Sequence, residues 1–165
     1  MASPGIRRAS RPKYETSQRQ GTTVVETALV LPVFFFLVFA ILEFAHAQMA
    51  INVMQSACRN GARIGTTEGA TTTEVTERVD QIMASAFKTD TASIYVLDAS
   101  VYDSGGTPPV TGADIEGLPP MDLLNAESRQ MFVVRATIPY NDIALVPMPF
   151  MNGVVLDGQA FMRHE

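Results

Sequence analysis

A single cysteine, Cys58, stands in 165 residues, and there is no tryptophan. One cysteine excludes an intrachain disulfide and a cysteine-based metal cluster, so the chain has to fold on burial alone. Two readings of Cys58 stay open: a small apolar residue on a helix face, or a link between two chains. Histidine is nearly as scarce. His46 lies on an apolar helical stretch and His164 at the exposed chain end, which argues against a paired catalytic arrangement. There is no glycine-rich phosphate loop, no H-E-x-x-H and no G-x-S-x-G. Asp98, Asp103, Asp114, Glu116 and Asp122 surround a Gly/Pro-rich segment, but their spacing matches no EF-hand, which favours a solvated acidic loop over a calcium site. The expectation is therefore no enzyme, no catalytic residue, no metal and no cofactor.

Positive charge is also scarce once the first residues are passed. Arg7, Arg8, Arg11, Lys13 and Arg19 precede Gly21, opposed only by Glu15. From Thr22 onward seven basic residues face sixteen acidic ones, a formal net of -9. That layout excludes a nucleic-acid binder, which needs its positive charge on the folded domain. It is the layout of a short basic leader, residues 1–21, that stays in the cytoplasm while the rest crosses a membrane.

The crossing segment is residues 24–42, with Glu26 near its cytoplasmic end and no charge from Thr27 to Leu42. At ~1.5 Å per residue these 19 residues span about 28 Å, close to the hydrocarbon thickness of a bilayer. Val33 to Leu42 is apolar all round, unlike a core helix of a soluble protein. Ala45-His46-Ala47 offers a secretory cleavage pattern as the alternative. Against it, the apolar run exceeds the usual signal length, and helical spacing continues through Phe44, Ala47, Ile51, Met54 and Cys58. Pro32 should kink the span near Ala28 to Pro32.

Beyond the membrane, helix is expected to continue to about Ile64, ending in the small residues Gly61, Ala62 and Gly65. Arg59 and Arg63 share a face there, placed to offset the helix dipole and to pair with the acidic domain. Thr71 and Glu74 form a capping box that opens a second helix, whose apolar stripe is Val75, Val79, Ile82, Met83 and Phe87. Strands are expected at Ser93 to Tyr102, Met131 to Pro139 and Val154 to Met162, with an irregular stretch from Asp103 to Ser128. In the middle strand Phe132, Val134, Ala136 and Ile138 should face the helices, with Arg135 and Thr137 outward in solvent.

The segment Gly21-Thr22-Thr23-Val24-Val25-Glu26-Thr27 carries more specific information. A glycine junction, an acidic residue five positions beyond it and then an apolar span resemble a prepilin cleavage signature. The run Glu26-Thr-Ala-Leu-Val-Leu-Pro32, the block Ala57-Cys58-Arg59-Asn60-Gly61-Ala62-Arg63 and the closing Ala160-Phe161-Met162-Arg163 resemble the TadE-like (TadE/TadG) pseudopilins of the tight-adherence, type IV pilin-like branch. Thr27 stands where the major pilins of that branch carry Tyr or Phe. The resemblance implies processing between Gly21 and Thr22 by a prepilin peptidase, with Glu26 serving assembly. It also implies other pilins or pseudopilins and assembly-platform proteins as partners, in the inner membrane, with the C-terminal domain outside. A carboxylate near the hydrocarbon boundary is costly unless neutralised, and a new α-amine at Thr22 of a neighbour would do so.

The expected fold class is α+β and pilin-like. Residues 22–65 form the long N-terminal helix, and residues 66–165 an amphipathic helix on a three- or four-stranded antiparallel sheet, able to fold from about Arg63 onward. The expected function is a minor pilin or pseudopilin; the alternative is a permanently anchored extracytoplasmic binding or sensor module.

Overall fold

A computed structural model describes residues 16–103, 105 and 111–165, with side chains from residue 21 onward. The basic residues of the leader lie outside that set. By its contacts the chain divides into a unit ending at Ala40 and a compact unit from Ile41 to Glu165.

In the first unit, helix α1 (Thr16–Gly65) begins, and it runs through Pro32 without interruption on its way into the second. Its side chains from Gly21 to Leu37 are all exposed.

The second unit opens on the rest of α1 and continues with α2 (Thr72–Ala84), β1 (Ser93–Asp98), α3 (Ser100–Asp103), α4 (Gly112–Glu116), β2 (Met131–Pro139), α5 (Tyr140–Ile143) and β3 (Val155–Arg163). Short 3-10 turns cover Leu123–Asn125 and Pro149–Met151. The three strands form one antiparallel sheet in the order β1-β2-β3, so the α+β class and a three-stranded sheet are what the chain adopts. Helix α2 starts where the capping box put it: the Thr71 hydroxyl accepts from the Glu74 N–H, and the Glu74 carboxylate from the Thr71 N–H. Val75, Val79 and Met83 of its stripe are buried, and Ile82 and Phe87 are packed at the rim.

One core lies between the sheet and the helices. It joins Phe132, Val134, Ala136 and Ile138 with Ala47, Ala50, Met54, Ala57, Cys58 and Ala62 of α1 and the α2 stripe. Six of the twenty buried residues of this core therefore come from α1, along a face that no other element supplies. The independent fragment starting at Arg63 is not supported, because it would lack that entire face; the compact unit starts at Ile41. The α1 stripe also differs at one end: Phe44 is exposed, and Glu43 takes the inward position. The approach is close enough that glycine is required. A Cβ on Gly158 of β3 would lie 2.6 Å from the backbone of Met54 and Gln55, and one on Gly61 would lie 2.5 Å from Val79. Cys58 is fully buried and donates to the Gly158 carbonyl at 3.2 Å; burial pushes its thiol pKa up to about 12. That is the behaviour of an inert core thiol and removes the interchain link from the folded state.

The opposite face of the sheet is not solvated. Strand β1 ends at Asp98 rather than Tyr102, because the chain turns into α3 and then returns as α4 across the sheet. Ile115 of α4 joins Leu97, Ala99 and Val133 in a second, smaller core. Arg135 points to this face, as the alternation requires, but it is covered. It bonds Glu116 at 3.2 Å, Asp157 at 2.6 Å and Gln159 at 3.0 Å. Thr137 is buried beside it. His164 corrects a second expectation. It is buried, its backbone pairs with Gln130, and its Nδ1 lies 2.9 Å from the Gly65 carbonyl, so the chain end is pinned to the end of α1.

These contacts set an expected result for melts of the full chain in detergent. Val134→Asp buries an unpaired charge in the main core and should unfold the globular unit. Arg135→Asp, which for a solvated residue would be nearly neutral, should cost about 3 kcal/mol, because it gathers three carboxylates where an ion pair was. A loss of less than about 1 kcal/mol, the size of a surface pair, would show that this face is open to water.

Candidate functional site

The residues assigned to processing and assembly sit at the start of the described chain. Gly21 and Thr22 are neighbours on α1, Glu26 lies about one turn further along, and all three are exposed. The Thr27 hydroxyl donates to the Thr23 carbonyl at 2.8 Å, so this polar side chain is satisfied by its own helix. A Cβ on Gly21 would meet nothing within 4 Å, so no close packing demands glycine there. From Val24 onward the helix presents Leu29, Val33, Phe36, Leu37 and Ile41 outward, and its most apolar window has a mean hydropathy of 2.6 with 6% of residues buried. The helix is long and apolar enough to cross a membrane.

At the far end of the apolar run the second unit provides a polar site that sequence reasoning missed. Glu43, immediately after Leu42, is 2% exposed. The Tyr140 hydroxyl and the N–H of Leu145 (3.1 Å) both donate to its Oε1, and the N–H of Val146 (3.0 Å) to its Oε2. Burial alone would raise the pKa of this carboxyl. The hydrogen bonds from Tyr140, Val146 and Leu145 outweigh that and hold it below the usual carboxylate range, while burial and the facing carboxylate raise the Tyr140 phenol. The arrangement fastens the segment from Tyr140 to Val146 to the first turn of α1 beyond the apolar run. The signal for it was present as a charge directly following an apolar run. Its partner, 97 residues away in a Pro-Tyr-Asn-Asp turn, was not readable.

The other candidates are dispersed. Asp98 accepts from Gln130 and the Ser100 N–H, Asp103 from Arg163, Glu116 from Arg135, and Asp122 from Leu124 and Asn125; Asp114 caps α4. Each acid has separate local work, and among the described residues no group of three metal-ligating side chains forms. Arg59 donates to Gln55 at 3.4 Å in place of an acidic partner. Arg63 and Arg78 line an open groove with Glu74 between the end of α1 and the start of α2.

The fold and site together define an α+β domain carried on a single N-terminal apolar helix that is shared between the span and the domain core. A family model described as TadE-like protein matches residues 21–63, the stretch that holds Gly21, Glu26, Glu43 and the Ala57 to Arg63 block. The resemblance read from those motifs is thus found independently over about a quarter of the chain. No curated protein and no solved structure matches it significantly.

Titration of stability tests the Glu43 site. A carboxylate whose folded pKa is lowered stabilises fully above its unfolded pKa, near 4.5, and loses that contribution as pH falls through the folded value. Melts of the wild type should therefore drop on acidification below that range by more than melts of Glu43→Gln. Tyr140→Phe, which removes a donor from a charged acceptor, should cost about 2 kcal/mol at neutral pH. Parallel pH profiles for wild type and Glu43→Gln would contradict the assignment.

Proposed function

We propose that the protein is a minor pilin or pseudopilin, a structural or assembly-priming subunit of a tight-adherence pilus or a related secretion system, with no enzymatic activity of its own. The observation that carries this reading is the family match over residues 21–63, whose first residue is the glycine of the proposed cleavage junction and which ends inside the globular core. In this reading α1 sits in the inner membrane with its N-terminus in the cytoplasm and residues 43–165 outside. A prepilin peptidase releases the leader between Gly21 and Thr22. Glycine is the weakest helix former available apart from proline, so the helix opens most readily at the bond to be cut.

Assembly then asks α1 to leave lipid and pack among other pilin helices and platform proteins. The apolar side chains of residues 24–42 suit both environments. Glu26 suits the second better, since a neighbour's Thr22 amine can neutralise it and set the axial register. A permanently anchored binding module would have the same span, but it would need neither a junction at Gly21 nor an acid five residues beyond it.

Mass spectrometry of the mature protein should find Thr22 as the first residue; a start at Met1 or Gln48 would overturn the processing step. Glu26→Ala should insert and be cut normally, yet co-purify several-fold less with its assembly partners. Equal recovery would remove the register role from Glu26.

A further inference from the structure

We infer that the segment Ala144–Met151 is a second membrane contact, an apolar loop that rests in the bilayer surface beside the point where α1 emerges; the inference rests on the membrane reading of residues 24–42. Its position follows from the Glu43 site. Leu145 and Val146 donate their N–H groups to the carboxylate of the residue directly after Leu42, which fixes the loop at the level where the apolar run stops. Its exposed side chains are the wrong ones for water: Leu145 is 68% and Phe150 61% exposed, and Val146 is also open. Ala-Leu-Val-Pro-Met-Pro-Phe-Met carries no charge. On α1 at the same level, and within the same compact unit, Leu42 and Phe44 are exposed as well.

Most of the loop's backbone donors are satisfied within the chain, which lowers the cost of a medium of low polarity. Ala144 donates to the Tyr140 carbonyl, Leu145 and Val146 to Glu43, and Met151 to Met148, while Pro147 and Pro149 have no N–H. The loop is also held in shape. Met148 is buried beneath it, and the Asn141 amide donates to the Asn152 side chain at 2.7 Å across its base. A preformed apolar tip pays little ordering entropy on entering an interface. A lipid surface fits better than a second copy of the chain, because Glu43 ties the loop to the turn that directly follows the apolar run.

The absence of tryptophan makes the test direct. Leu145→Trp and Phe150→Trp would each be the single tryptophan of a full-length protein in phosphatidylcholine/phosphatidylglycerol vesicles containing lipid brominated high on the acyl chain. Leu124→Trp serves as the exposed control: the neighbouring Leu123 packs on Gly65, 22 residues or ~33 Å along α1 from Glu43. Phe34→Trp reports on the span itself. Quenching at 145 and 150 should be several-fold stronger than at 124. Quenching no stronger than at 124, with Phe34→Trp quenched, overturns the loop contact and leaves the span intact. A blue-shifted, unquenched emission that grows with protein concentration assigns the loop to a second copy and also overturns it. If Phe34→Trp is unquenched, the membrane reading fails first.

Discussion

The globular unit depends on one narrow face of α1 along which other elements come within backbone contact. Ala47, Ala50, Ala57 and Ala62 keep that face low, and the glycines on either side complete it. Gly158 brings β3 onto Met54 and Gln55, Gly61 brings α2 onto the helix at Val75 and Val79, and Gly65 receives Leu123 and Phe132. Dispersion falls steeply with separation, so small residues here gain contacts that larger ones would prevent by holding the layers apart. The block Ala57 to Arg63, met first as a family signature, has this physical content. Ala57, Cys58, Gly61 and Ala62 form the inward half of the crossing, and Arg59, Asn60 and Arg63 are its solvent side.

That packing also explains why a domain with no disulfide can be this small. Its core is completed by the second half of α1, the helix that also carries the apolar run. Within the membrane reading, residues 24–42 would be held helical by a medium that leaves backbone groups no alternative partner, so the following turns would start from an established helix and avoid the cost of nucleation.

The features legible in the sequence were those fixed by local pattern. Met131 to Pro139 alternates so regularly that its limits and the assignment of its two faces both match the sheet. The α2 start is encoded in four consecutive residues, Thr71 to Glu74. What could not be read depends on pieces of chain returning from a distance. Arg135 looks solvated in any one-sheet drawing until α4, drawn from a Gly/Pro-rich stretch with little periodicity, is laid over it. The same applies to His164, whose burial depends on the end of α1 lying 99 residues earlier. Glu43 was hidden by its position, since a charge following an apolar run reads first as a marker of the membrane surface.

The two carboxylates that bracket the apolar run therefore have different physical situations. Glu43 is buried and receives three hydrogen bonds from its own domain, so its charge is satisfied before any neighbour arrives. It is also insulated from neighbours by the residues that bond it. Glu26 lies on the exposed surface of α1, ahead of a long run of exposed apolar side chains. A charge satisfied within its own chain gains nothing from assembly, whereas one that meets hydrocarbon is stabilised by any cation another subunit can bring. The upper end of the span is thus built to fix the domain on its helix. The lower end is where a contact between subunits would have the most to gain, and that asymmetry is what supports the proposed assembly role of Glu26, while Glu43 fastens the domain to its helix.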